Sequence, residues 1–556
     1  MKTRILIFLF ILSCGTSQAQ NADLDAAVDH AVEIAAKKMG YTILELKNEP
    51  SKFPSTTYYD VFKKLWYWHV STVKEGNTGG WAPGFWPGCL WQMYELTGDP
   101  AWKSHAQKWT APMETRLYNG GSDVGVNMFN TFVPQFRVTA DSHDVAVLLD
   151  AARQIVGENL NNFNENAGVL GYDRRADLDG RQHWHAFIDH LPNLELLYWA
   201  ADHADSTEAE TWRTIATRHA LTIGASMINP LIPGTDPVEY RDGSIQRGFF
   251  DYRTGEYLFG EAKQGWTHNS TWSRGQSWIV YGFSAAYAAT QNDSILACLK
   301  IAADYFIDHL PANLPGNRRV ESDYVPQWDF DFTAQRDSLG QLLYPDTERD
   351  ASAGAMGLAG LLKLVQALPE TDADRWRYWN AAENILASLC SPKYLAEGDE
   401  TPAILLHGCY VHSQSYLGRN SGNSAEDVSL IWGDFYFLYS LNLYKQLAPR
   451  FPSAVDDRST ASQLADFILI ENFPNPFNSS TTVRFEISSP QKIRIELFDI
   501  CGRRVRFWPK TAYSSGSHQL RWDGRDAYGN SAASGLYFIK ISSDALHANH
   551  RLILLR

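Results

Sequence analysis

Residues 139–155 read Thr-Ala-Asp-Ser-His-Asp-Val-Ala-Val-Leu-Leu-Asp-Ala-Ala-Arg-Gln-Ile. A short polar turn with Asp141 and Ser142 leads into apolar residues at helical spacing. Asp and Ser side chains accept hydrogen bonds from the free amides of a helix start, so such a turn ends one helix and caps the next. The same punctuation recurs at Thr97-Gly98-Asp99-Pro100, His203-Ala204-Asp205-Ser206, Gln291-Asn292-Asp293-Ser294 and Glu370-Thr371-Asp372-Ala373. Pro100 suits a first-turn position. Helical hairpins repeated over roughly 400 residues predict a closed ring of hairpins or an α-solenoid, and periodicity does not choose between them. A ring would place its long loops at one end, where a site could sit.

Beyond this region the pattern changes. From about Phe467 to Arg556 short alternating strands appear, as in Thr481–Ile487 and Lys492–Phe498, separated by Gly, Pro, Ser and Asn turns. They predict a small all-β, immunoglobulin-like sandwich. The expected divisions are therefore an N-terminal signal at residues 1–19, an all-α body over 23–447, a Pro/Ser-rich linker over 448–466 and the sandwich over 467–556. Residues 468–556 carry a net charge of +5 against -21 for residues 5–467, which suggests separate jobs.

The chain has 556 residues, is 44% hydrophobic and carries a net charge of -14. That is a globular composition, and its acidity argues against nucleic acid as a partner. No long apolar run follows the N-terminus, so no transmembrane segment is expected in the mature chain. Lys2 and Arg4 precede the apolar run Ile5–Leu12, and Ser17-Gln18-Ala19 suits cleavage before Gln20. Ile11-Leu12-Ser13-Cys14 offers a competing lipoprotein box. Six scattered cysteines without a CxxC pair argue against a disulfide scaffold or zinc site. The abundant aromatics (19 Trp, 26 Tyr and 27 Phe) suit either a sugar-stacking cleft or a large helical core.

Several dense blocks stand apart from ordinary helix faces. They are Trp81-Ala82-Pro83-Gly84-Phe85-Trp86-Pro87-Gly88-Cys89-Leu90-Trp91, Ser122-Asp123-Val124-Gly125, the stretch His185–Ala200 around Ile188-Asp189, and Gln264–Trp278, which contains Trp272-Ser273-Arg274-Gly275-Gln276-Ser277-Trp278. In order and spacing these blocks make residues 55–447 resemble the unsaturated glucuronyl hydrolases, glycoside hydrolase family 88. The resemblance implies an (α/α)6 barrel. It also implies a glycosidase of polysaccharide degradation, which releases a 4,5-unsaturated uronic acid from the non-reducing end of lyase-made oligosaccharides. In that family a vinyl ether is hydrated, and no metal or organic cofactor is needed.

By resemblance Asp189 is the general acid/base and Asp123 the supporting carboxylate. One carboxyl can serve as acid and then base if its pKa lies near the working pH, and a second carboxylate raises that pKa. Read from the residues alone, Asp123 could equally be an N-cap, and Asp329, Asp331 and Asp350 turn residues. Asp189 sits among apolar neighbours, where a carboxylate is either partnered or functional. Arg274 could bind the substrate carboxylate or pair with a structural Asp. Trp81, Trp86, Trp272 and Trp278 could stack on sugar rings or fill the core. Gln264 and Gln276 could bind hydroxyls. His183, His185, His190 and His268 have no metal-site spacing and read as hydrogen-bonding residues.

Some positions depart from the family pattern. Ser122 and Lys263 stand where His is common, Gln246 or Arg247 replaces a His, and Tyr172 replaces a Trp. Lys263 and Arg247 could suit a sulfated sugar. Asn472–Asn478, Leu497–Arg503, Trp522–Asp526 and Ser534–Phe538 resemble the FlgD-like sorting domains of type IX secretion. That implies export through the periplasm to a secreted or surface location, with the export machinery as a partner. A sugar-binding module is the alternative for this part. For the body, the alternatives are an unsaturated rhamnogalacturonyl hydrolase acting on pectin fragments, a non-catalytic surface glycan binder, and a conventional inverting glycosidase.

Overall fold

The computed structural model describes residues 16–74, 77–78, 80–117, 123–157, 161–171, 174–176, 182–228, 243–314, 323–332, 335–336, 342–343, 347–421, 424–451, 467–473, 477–487, 490–499, 504–527, 529–533, 535–542 and 547–554. The chain divides into two compact units after Phe451. Residues 448–451, read above as the start of the linker, belong to the first unit. Phe451 is buried there and stacks on Trp379 at 4.4 Å.

The first unit contains thirteen described helices. They are α1 (Thr16–Glu45), α2 (Phe85–Thr97), α3 (Pro100–Thr110), α4 (Val124–Thr139), α5 (Ser142–Val156), α6 (Asn193–Ala201), α7 (Ser206–Met227), α8 (Ser273–Thr290), α9 (Asp293–Asp308), α10 (Ala351–Ala367), α11 (Arg375–Leu389), α12 (Tyr416–Ser421) and α13 (Ile431–Leu447). The anticipated signal cleavage site falls at the start of α1, and the run before it lies outside the described residues.

Helices α2, α4, α6, α8, α10 and α13 pack side by side in that order, and α13 returns to α2. That closure makes the repeat a ring, an (α/α)6 barrel. Each inner helix is followed by an outer partner, α3, α5, α7, α9 or α11. The sixth partner is α1, tied to α13 by Tyr444 Oη donating to Asp25 (3.0 Å) and by the Lys445–Asp29 ion pair (2.5 Å). The inner helices read as buried on all sides, as α10 is from Ala351 through Val365. Small residues let them approach closely. A Cβ on Gly360 of α10 would meet the Tyr281 backbone nitrogen of α8 at 2.7 Å.

The Asp-bearing turns join each inner helix to its outer partner. Asp99, Asp141 and Asp205 cap α3, α5 and α7 through their side chains. In the fourth turn the cap is Asn292 and not Asp293. In the fifth, Asp372 accepts the Asp374 amide and binds Lys300 instead of capping α11. With all short turns at one end, the long connections and the N-termini of the six inner helices gather at the other. Helix N-termini carry partial positive charge, so this end favours anions despite the acidic body.

Among the described residues four sheets lie in those long connections, two of them short two-stranded ribbons. A hairpin of Lys52–Asp60 and Leu65–Lys74 lies in the connection between α1 and α2. A four-stranded antiparallel sheet orders Arg174–Ala176, Gln182–Phe187, Arg247–Asp251 and Tyr257–Glu261. Among the described residues, no helix is long and apolar enough to cross a membrane. Cys89, Cys298, Cys390 and Cys409 are free thiols.

The second unit is a sandwich of a three-stranded and a four-stranded antiparallel sheet. Its core is alternate residues from facing strands, including Val483, Phe485, Ile493, Ile495, Trp522, Ile539 and Leu552.

Candidate active site

Asp189 lies on a 3-10 turn, Ile188–His190, between the strand Gln182–Phe187 and helix α6. Pairing of Phe187 with Arg247 and donation from the Ile188 amide to the Gln246 carbonyl (3.1 Å) fix that turn to the neighbouring strand. The residue is only partly exposed. Burial is the largest influence on its carboxyl, and the Asp123 charge adds to it. Arg274 and Gln246 pull the other way. The balance raises the pKa to about 7. Half of such groups hold a proton at neutral pH, which suits a carboxyl that must give a proton and then take one.

Asp123 occupies the N-cap position of α4, but its side chain makes no capping bond. Asn193 of α6 reaches across instead, its Oδ1 accepting the Val126 amide at 2.8 Å. The approach is so close that a Cβ on Gly125 would meet that oxygen at 2.5 Å. The cap reading of Asp123 therefore fails, because a neighbouring inner helix supplies the cap. Asn193→Ala is expected to cost about 1 kcal/mol, since it uncaps α4, and thermal unfolding would register the loss. Asn127 holds the same corner, donating from Nδ2 to the carbonyls of Asp123 (2.7 Å) and Trp81 (2.8 Å).

A line of amides runs from Asp189. Gln246 Nε2 donates to Asp189 Oδ2 at 3.5 Å, the long end of the range, and to Gln264 Oε1 at 3.0 Å. The Gln264 amide donates to Gln246 Oε1 at 2.9 Å, which fixes the orientation of Gln246. Gln264 Nε2 donates to the Tyr410 carbonyl at 3.0 Å. Gln264 thus joins the site, while Gln276 is buried between the Ser244 amide and the Ala302 carbonyl. The importance of Gln246, Asn193, Asn127 and Tyr410 escaped the sequence reading. Only Gln246 had a signal there, as one of two candidates for a substituted His.

Five expected substrate contacts, Arg274, Arg247, Trp86, Trp272 and Trp278, are buried. Arg274 is fully buried, and its guanidinium donates to Asp350 (2.5 Å) and to the carbonyls of Cys409 (2.6 Å) and Tyr410 (2.7 Å). It is the structural ion pair of the two readings, stacked over Trp272 at 4.5 Å. Arg247 is also buried, paired with Glu261 at 2.8 Å and donating to His185. Of the tryptophans, Trp86, Trp272 and Trp278 are buried in the core. Trp86 meets Trp109 edge-on at 6.0 Å, and Trp278 meets Tyr436 at 5.9 Å. Trp81 alone of the four is partly exposed and lines a cavity. Lys263 is partly buried, and its carbonyl accepts the Leu417 amide at 2.8 Å. Tyr172 and Ser122 lie outside the described residues.

The remaining acidic residues are clamps. Asp329 accepts the amides of Trp266, Asp331 and Phe332 and the Ser270 hydroxyl, and Asp331 accepts the Thr271 amide. Together they tie the segment before α8 to residues 328–332. Asp350 caps α10. Among the histidines, His185 and His190 are buried, and burial pulls His190 down to about 4.

With Asp123 replaced by Asn, a negative charge facing Asp189 disappears. The Asp189 pKa should then fall, and the alkaline limb of the rate profile should move to lower pH by a few tenths of a unit or more. Rates measured between pH 5 and 9 on both proteins would check this.

Comparison with known proteins agrees with this geometry. An unsaturated chondroitin disaccharide hydrolase of Streptococcus agalactiae serotype III is 29% identical over 420 residues, covering 74% of this chain and 90% of the relative. An unsaturated glucuronyl hydrolase of a Bacillus species is 28% identical over 410 residues, covering 72% and 93%. The crystal structure of an unsaturated glucuronyl hydrolase specific for heparin superimposes with a TM-score of 0.59 at 28% identity, covering 76% of this chain and 98% of that one. Residues 475–546 match the family model of the FlgD Ig-like domain. Over about three quarters of its length the chain is similar to unsaturated glucuronyl hydrolases, and its C-terminal part matches the FlgD Ig-like domain.

Proposed function

We propose that this protein is a glycoside hydrolase that releases 4,5-unsaturated uronic acid from the non-reducing end of lyase-made oligosaccharides, with Asp189 as acid and base. The observation that carries the chemistry is a carboxyl at the ring mouth, held near a pKa of 7 by burial and by a facing second carboxylate. In the forward step the Asp189 proton goes to carbon 4, and the electron pair of the C4–C5 double bond forms the new C–H bond. The cation left at carbon 5 is shared with the ring oxygen. Water adds to carbon 5 and returns a proton to Asp189. The hemiketal then opens as its ring C–O bond breaks, giving a ketone at carbon 5. The hemiacetal left at carbon 1 expels the aglycone as an alcohol. One water is consumed, and the enzyme ends as it began. Asp123 raises the pKa of the acid, and Gln246 and Gln264 offer amide groups to the water or to substrate hydroxyls.

The sign of the pH dependence follows. The first step needs the protonated carboxyl, so the rate should fall as pH rises through about 7. The conjugated double bond absorbs in the ultraviolet. Loss of that absorbance on mixing an unsaturated uronyl disaccharide with the enzyme supports the reading, and persistence on glucuronyl and galacturonyl substrates alike would refute it.

The C-terminal unit is assigned to export. The match to the FlgD Ig-like domain and the signal-like N-terminal run support a secreted or surface protein that uses type IX machinery. Deletion of residues 467–556 should leave the enzyme in the periplasm, and cell fractionation would show it.

A further inference from the structure

A cavity of about 570 Å³ opens in the first unit at the loop-bearing end of the ring. That size lies within the span of ligand-sized clefts, roughly 300–1,000 Å³. Neither Asp123 nor Asp189 lines it, yet its walls are wired to both. The Trp81 carbonyl shares the Asn127 amide with Asp123, and the Tyr410 carbonyl ends the amide line from Asp189. One wall is aromatic. Trp81 lies 4.6 Å from Trp432 between ring centroids and donates from Nε1 to the Tyr410 hydroxyl at 3.2 Å. The opposite wall is the hairpin, which presents Ser55, Thr56, Ser71 and Thr72. Among the described residues, no charged side chain lines the space.

We propose that this cavity receives the sugar on the reducing side of the unsaturated uronate, and that it selects a neutral, unsulfated ring. The proposal rests on the hydrolase reading above. An aromatic face takes the C–H face of a pyranose, and hydroxyl side chains match its hydroxyl groups. A sulfate in the same space would lose hydration with no cation among the described lining residues to replace it. Of the buried arginines near the site, Arg247 is committed to Glu261, Arg274 to Asp350 and Arg116 to the Gly80 carbonyl. The inference opposes the expectation that Lys263 and Arg247 suit a sulfated sugar, since neither lines this cavity.

The test uses the full-length protein and an unsaturated uronyl–N-acetylhexosamine disaccharide, with and without a 6-O-sulfate on the amino sugar. Absorbance loss gives kcat/KM for each. The unsulfated substrate should be favoured by about tenfold or more, the cost of an unpaired buried charge. A second protein, Val70→Arg, places a cation in the lining from an exposed hairpin position. It should move the ratio toward the sulfated substrate by about fivefold or more. Wild-type preference for the sulfated disaccharide would overturn the proposal and leave the hydrolase reading intact. An unchanged ratio in Val70→Arg would show that the sugar sits elsewhere. Turnover of neither disaccharide, nor of any unsaturated uronyl substrate, would instead overturn the hydrolase reading, and the proposal with it.

Discussion

Asp189→Asn should lower kcat by about 10³–10⁴-fold while making the folded protein more stable above pH 7. The first half follows from chemistry, since an amide neither gives the proton to carbon 4 nor accepts one from water. The second half follows from linkage. The folded carboxyl has its pKa raised from 3.8 to about 7, so between those values the folded state binds more protons than the unfolded chain. Stability therefore falls as pH rises through that window, by at most about 4 kcal/mol. Asparagine removes the ionisation and so the loss. Urea unfolding of both proteins at pH 5 and pH 8, beside the kinetic assay, would check the pair of effects. A variant equally inactive but less stable at pH 8 would mean that Asp189 is a structural residue.

Asp350→Ala should be the most destabilising single change at the ring mouth, at about 3–5 kcal/mol. Its Oδ2 is the anionic partner of Arg274, and its Oδ1 takes the amides of Ser352 and Ala353 at the start of α10. Truncation leaves a fully buried guanidinium without its counter-charge and uncaps an inner helix. The melting temperature should drop by roughly 5 °C or more. Replacing the pair together, as Asp350→Leu with Arg274→Met, should recover part of the loss, because no buried charge then stands alone. Were Arg274 a ligand of the substrate carboxylate, Asp350→Ala would chiefly raise KM and leave the melting temperature nearly unchanged.

The hairpin repeat was legible because its signals are local. A cap and the amides it serves are two or three residues apart, and Asp99, Asp141 and Asp205 fill that role as read. Closure of the ring was not legible, since it depends on α13 meeting α2 and α1 across nearly the whole chain. The same distance effect explains the site. Asp123 looked like a cap because the competing cap, Asn193, comes from 67 residues away. Arg274 was left between two readings, and its partner Asp350 lies 76 residues on. The tryptophans mislead for another reason. A ring that could stack on sugar can equally fill a core, and burial of Trp86, Trp272 and Trp278 is decided by packing that residue type does not reveal. The strands Thr481–Ile487 and Gln491–Asp499 were legible because period-two alternation is again a local signal.

The central claim is that Asp189 delivers a proton to carbon 4 of an intact glycoside. Turnover in D2O, followed by NMR of the product, tests it most directly. Delivery from one fixed carboxyl predicts deuterium at carbon 4 in a single configuration. Direct displacement at carbon 1 would release an unsaturated sugar that takes up deuterium in solution, so an even mixture of the two configurations would contradict the account.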